Sequence, residues 1–165
     1  MLIIEDGTGL GEAESYATAE DLALYARKFG VTVPDDETAR EALLRRSALA
    51  MNGMKWKGRR SHSSQALAWP REGVVIDGEY KPRSYIPREI FYGQLALTGE
   101  IYADDLTPPE TRQGAVIRER VEGAVDVQYA EVKNTGKLLP AAPQRPSQTQ
   151  FADYLERRGL FAVRA

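Results

Sequence analysis

The side chains in this chain best suited to chemistry are cationic and aromatic, and they lie close together. Lys55-Trp56-Lys57-Gly58-Arg59-Arg60 interleaves charge with a ring, and Trp69, Arg71, Tyr80 and Tyr85 follow downstream. Positive charge can track a phosphate backbone while rings stack on bases, which is what binding a single strand of nucleic acid requires. The same residues admit a structural reading. Both tryptophans could anchor the segment on a helical body, leaving the cationic heads in water or against an acidic neighbour. Lys55, Trp56, Lys57, Arg59, Arg60 and Arg71 are therefore the candidate contacts with DNA or with a neighbouring subunit.

Other constellations point away from catalysis. Gly7-Thr8-Gly9-Leu10-Gly11 follows Leu2-Ile3-Ile4, the setting of a nucleotide loop. A dinucleotide fingerprint would need glycine at position 12, where Glu12 stands, and the Gly-Lys-Ser/Thr of a phosphate loop is missing. Glu5, Asp6, Glu12 and Glu14 would also repel phosphate, so the glycines predict a structural turn. Asp35-Asp36-Glu37 and Asp104-Asp105 could hold a hard cation. They lie, however, where one helix should start and another should end. His62 is the one histidine, set in a polar run without a marked nucleophile. With no cysteine, thiolate metal sites and cysteine nucleophiles are excluded. No catalytic residue, cofactor or metal is expected.

The elements that must position the basic segment follow from length, charge and periodicity. The 165 residues suit one domain and its own core. The net charge of −2 hides a partition. Residues 1–54 hold five basic and ten acidic side chains, residues 55–88 eight and three, and residues 89–165 nine and eleven. No apolar run approaches a membrane span, and the acidic start is unlike a signal peptide, so the chain reads as soluble and intracellular.

Thr18 and Asp21 have capping-box spacing, and Gly30 closes a first helix whose apolar stripe is Leu22, Tyr25, Ala26 and Phe29. A second helix should run from Glu37 to Asn52, with Ala39, Leu43, Ala50 and Met54 on one face, Leu44 and Met51 beside them, and Glu41 paired with Arg45. Residues 55–87 lack a helical period and form a long excursion with a hairpin at Asp77-Gly78. A third, central helix starts at Pro87 and ends before Thr107-Pro108-Pro109. Gly93 and Gly99 inside it predict close approach of another backbone. Residues 115–129 alternate with period two, and a loop at 122–124 would set Arg120 opposite Asp126. Pro140, Pro143 and Pro146 favour an extended arm, followed by a short helix carrying Phe151, Tyr154 and Leu155. The expected fold is mainly α: a small bundle of three main helices with a β-hairpin, a long basic loop excursion and a C-terminal arm ending in a short helix. The core would cover residues 1–132 and the arm residues 133–165.

Several motifs resemble a family encoded in tailed-phage genomes, the head–tail connector or adaptor proteins often labelled DnaT-like single-stranded-DNA-binding. They are Glu5-Asp6-Gly7-Thr8-Gly9-Leu10 with Ser15-Tyr16, Trp56-Lys57-Gly58-Arg59, and Gln65-Ala66-Leu67-Ala68-Trp69-Pro70-Arg71-Glu72-Gly73-Val74. The Ile86-Pro87 helix start and Arg118-Glu119-Arg120-Val121 agree. The resemblance implies a virion structural protein without enzymatic activity, made in the host cytoplasm and placed at the neck. Copies would form a ring, usually dodecameric, below the portal protein, receive a stopper or tail protein, and pass duplex DNA through the lumen. The alternative implied by the label is a single-stranded DNA-binding protein. Charge segregation suits a head-to-tail contact between copies. Burial logic then makes Phe151, Tyr154, Leu155, Leu160 and Phe161 the expected portal-docking residues.

Overall fold

The computed structural model describes residues 1–107 and 145–156, together with the backbone of 116–121 and 125–129. Three main helices are present: α1 (Ala19–Phe29), α2 (Glu37–Asn52) and α3 (Arg88–Leu106). A short helix, α4 (Pro146–Phe151), packs on α3. The described residues also hold three two-stranded antiparallel pairs: β1 (Arg59–Arg60) with β2 (Arg71–Glu72), β3 (Val75–Ile76) with β4 (Glu79–Tyr80), and β5 (Val116–Val121) with β6 (Val125–Tyr129). The fold is mainly helical, as the periodicity predicts.

Local chemistry sets the element ends. The Thr18 side chain accepts from the Asp21 amide while the Asp21 carboxylate accepts from the Thr18 amide, the reciprocal capping box. Gly30 leaves α1 in the left-handed region at φ 67°. Asp36 caps α2 through the Ala39 amide at 2.8 Å. Pro87 is the cap residue of α3 and Arg88 its first helical residue. Asp77 and Gly78 both have positive φ, the backbone of a type I′ turn between β3 and β4. In the β5–β6 hairpin Arg120 pairs with Asp126 and Val121 with Val125, and an irregularity between Val116 and Arg118 makes Val116, rather than Ile117, the partner of Tyr129.

The buried face of α2 differs from expectation. It runs through Leu43, Leu44, Ser47, Ala48 and Met51, while Ala50 is exposed. A polar row on α3 selects it. Thr98 donates to Ser47 across the helix pair at 2.9 Å. Gln94, fully buried, donates to the Leu44 carbonyl at 3.1 Å and to Ser15 at 3.0 Å, and accepts from the Tyr16 amide at 2.9 Å. A buried amide is stable only when satisfied, so Gln94 fixes α2, α3 and the Ser15–Tyr16 stretch against one another.

The main core is aromatic. Trp56, Trp69, Phe151 and Tyr154 form a chain of edge-to-face contacts, with Trp56–Phe151 centroids 5.1 Å apart and Trp69–Tyr154 5.6 Å apart. The Trp56 indole donates to the Met51 carbonyl at 2.8 Å. A second apolar cluster joins Leu22, Leu44 and Leu95.

Residues 145–156 pack on this chain's own body, and the short helix differs from expectation: Pro146 opens it, and Tyr154 and Leu155 follow it rather than lying on it. Phe151 is 1% and Tyr154 5% exposed, both inside this chain's own core, and Leu155 is half-buried with its backbone bridged to Trp56. The Lys57 amide donates to the Tyr154 carbonyl and the Glu156 amide to the Lys55 carbonyl, both at 2.9 Å. Arg145 pairs with Asp104, and Glu100 accepts from the Ser147 amide and hydroxyl. The tryptophans leave a slot beside α3 that a flat ring fills, so burial within the chain wins over display. Gly93 faces the Phe151 ring and Gly99 faces Val31, so side chains, rather than a second backbone, need the missing Cβ atoms. Leu160, Phe161 and the 133–144 stretch lie outside the described residues.

A Cβ at position 93 would overlap the Phe151 ring. Gly93→Ala should therefore lower unfolding free energy by about 1–3 kcal/mol through overpacking. Gly93→Ala combined with Phe151→Leu should recover part of that loss in urea melts, whereas additive losses would place the steric conflict elsewhere.

Candidate nucleic-acid interface

The basic segment is held rigidly from beneath. Arg71 donates from Nε to the Lys57 carbonyl at 2.8 Å, and from its terminal nitrogens to Gly58 at 2.6 Å, Ala68 at 3.1 Å and Trp56 at 3.4 Å. One guanidinium thus ties both walls of the β1–β2 hairpin together. Burial, with Arg60 nearby, pulls its pKa below the ordinary value. Gln65 is buried and donates to the Leu67 and Pro70 carbonyls, closing the loop between the walls.

The N-terminal glycine loop braces the other side. The Glu5 carboxylate accepts from the amides of Gly7 at 2.9 Å, Gly9 at 2.8 Å and Leu10 at 2.8 Å. These amides form an anion nest, and the chain's own buried glutamate occupies it. The structural turn expected from the sequence is what the geometry shows. Gly7 packs on the Ser84 backbone and Gly9 on the His62 ring, so the nest supports the excursion. Leu10 accepts from the Ala66 amide at 3.0 Å.

On this frame the sequence-predicted contacts separate. Lys55, Arg59 and Arg60 are exposed and Lys57 is half-buried. Arg59 bonds Glu72 at 2.6 Å across the β1–β2 pair and lines a shallow groove of about 480 Å³ with Gly58, Glu72 and Gly73. Trp56 and Arg71 are corrected. Trp56 lies in the core, 3% exposed, because its ring seals the aromatic chain. Arg71 spends its donors on backbone carbonyls. Neither is a surface contact in this structure.

Other groups join the exposed cations. Arg83 donates to the Ser61 carbonyl at 3.2 Å, its own carbonyl accepts from the Ser61 hydroxyl at 2.6 Å, and its guanidinium lies 3.4 Å from the His62 ring. That places a further cation beside the Arg59–Arg60 strand. Tyr80, 79% exposed at the β3–β4 hairpin, and Tyr85 are the exposed rings of the segment. The rings offered by the sequence divide here: both tryptophans anchor the segment, as the structural reading had it, and the two tyrosines are exposed. The turn residues Asp77-Gly78 were the signal that Tyr80 sits on a protruding ribbon.

The acidic clusters are otherwise engaged. Asp104 and Asp105 pair with Arg145 and Arg46, and Asp36 caps α2. Among the described residues, no three His, Cys, Asp or Glu side chains converge as a metal site, and no helix is long and apolar enough to cross a membrane.

Tyr16 connects the loop to the core: its buried hydroxyl accepts from the Trp69 amide at 2.8 Å. Burial pushes the Tyr16 phenol upward from 10.0, and burial with a bond to Glu89 does the same for Tyr154. Both phenols hold their protons more tightly folded than unfolded. Their stabilisation is therefore complete below pH 10 or so and is lost as pH rises above it. Thermal melts between pH 8 and pH 11.5 should show a fall above pH 10, with phenolate absorbance from these two rings appearing only on unfolding. Titration of every tyrosine in the folded protein would contradict the burial argument.

A family model described as "Putative DnaT-like ssDNA binding protein" matches residues 1–164. No curated protein and no solved structure matches the chain.

Proposed function

The chain belongs to the family of DnaT-like ssDNA-binding proteins, and from that premise we propose a non-enzymatic role in holding single-stranded DNA on the exposed face of residues 55–85. The observation that carries this reading is the concentration of Lys55, Arg59, Arg60 and Arg83 with the exposed rings Tyr80 and Tyr85 on one braced segment. Cations meet phosphates without regard to sequence, and tyrosines offer a stacking face to any base. Arg71 and the glycine nest keep the cations from collapsing, which lowers the ordering cost of binding.

The test is fluorescence anisotropy of a labelled oligothymidine with the full chain. Affinity should fall with salt at a log–log slope of about −0.7 per phosphate neutralised. Arg59→Glu with Arg60→Glu should flatten that slope by about 1.4, and Tyr80→Ala should weaken binding by about 1–3 kcal/mol. Absence of binding at low salt would remove the reading.

A second reading, a ring-forming head–tail adaptor of a virion, is favoured by a different observation. Leu49 on α2 is 73% exposed beside an open groove of about 300 Å³ whose apolar floor of Ala13, Ala48, Ala66 and Leu67 is edged by Glu14, Arg45 and Asn52. Apolar surface of that kind suits contact between copies. In that reading portal contact falls to residues beyond Glu156, since Phe151 and Tyr154 serve the core. The stopper or tail protein and duplex DNA remain its proposed partners. Sedimentation should then show an oligomer that Leu49→Asp dissociates, and a wild-type chain that stays monomeric at high concentration would exclude it.

A further inference from the structure

A second aromatic–cationic surface lies away from the tryptophans, where α1 ends against the start of α3. Phe29 is the last residue of α1, and the left-handed Gly30 turns the chain away directly after it. Its ring is 59% exposed, a large apolar area to leave in water. One side of the ring is backed by Tyr25, with centroids 4.4 Å apart and planes tilted by 31°. Tyr92 approaches edge-on at 6.5 Å. The Arg88 guanidinium lies 4.9 Å over the Tyr92 ring and donates to its hydroxyl at 3.3 Å. Phe29, Arg88, Glu89, Tyr92 and Gln150 line an open cleft of about 330 Å³.

We propose that this cleft is a base-stacking seat for single-stranded nucleic acid, in which a base extends the Tyr25–Phe29 stack and Arg88 meets the adjoining phosphate. The proposal rests on the DNA-binding reading above and gives it a second contact. Its chemistry is that of a ring platform beside a cation already held on an aromatic face. Lys28, the residue before Phe29, is exposed on α1. Glu89 is the one acidic group in the cleft, and its carboxylate already accepts from the Tyr154 hydroxyl at 2.9 Å. Gln150 supplies an amide that can meet a base edge.

The experiment uses the full chain, a labelled oligothymidine and low salt. Phe29→Ala should weaken binding roughly 5- to 150-fold, the effect of losing one stacked base, with the protein still folded at the assay temperature. Phe29→Trp should bind as well as wild type. Arg88→Gln should weaken binding and flatten the salt slope by about 0.7. Wild-type binding that Arg59→Glu with Arg60→Glu weakens and Phe29→Ala leaves unchanged would overturn the seat and keep the broader reading. Wild type that binds no oligonucleotide would overturn both. A Phe29→Ala protein with unchanged DNA affinity but a smaller sedimenting mass would overturn the seat by making the patch a contact between copies.

Discussion

The structure depends on one interlock: the rings of Trp56, Trp69, Phe151 and Tyr154 packed edge to face beside Gly93. Four large side chains from three separate stretches of sequence meet there. Each brings apolar area worth about 1.5–3 kcal/mol on burial, and the edge-to-face geometry adds to it. Phe151 lies between Trp56 and Gly93 of α3, so it couples the tryptophans to the helix on which α4 packs. The backbone bonds between residues 55–57 and 154–156 lock the same junction.

The interlock also decides what the basic segment can do. By drawing Trp56 inward it leaves Lys55 at the surface and Lys57 half-buried on the same short stretch. Trp69 anchors the far wall, and Arg71 binds the two walls through carbonyl oxygens. The result is a cationic edge displayed on a stiff base, rather than a loose polycationic tail. A similar division appears at the N-terminus. Amides that could have gripped an external anion are filled by Glu5, so the glycine loop braces the structure.

Much of the helical frame was legible because its signals are local. Thr18 with Asp21, Gly30, Asp36 and Asp77-Gly78 each act through bonds within a few residues. The β5–β6 register from Arg118 to Val121 followed from period-two alternation, while the irregularity that pairs Val116 with Tyr129 did not. The face of α2 was not legible. Hydropathy favoured Ala50, but the partner of Ser47 is Thr98, fifty-one residues away. Separations of 50 to 79 residues hid Gln94, a polar residue whose role appears only once Ser15, Tyr16 and Leu44 surround it.

Sequence alone determined that this is a mainly helical chain with a basic excursion between acidic flanks, and that its cysteine-free composition excludes thiolate chemistry. Tertiary structure alone decided which aromatic rings are structural and which are available. Tryptophan, phenylalanine and tyrosine serve equally as core or as contact, and side-chain type carries no information on which side of the surface a ring will fall. Phe151 went inside because α3 offered it a glycine, and Phe29 stayed outside because its helix ended under it.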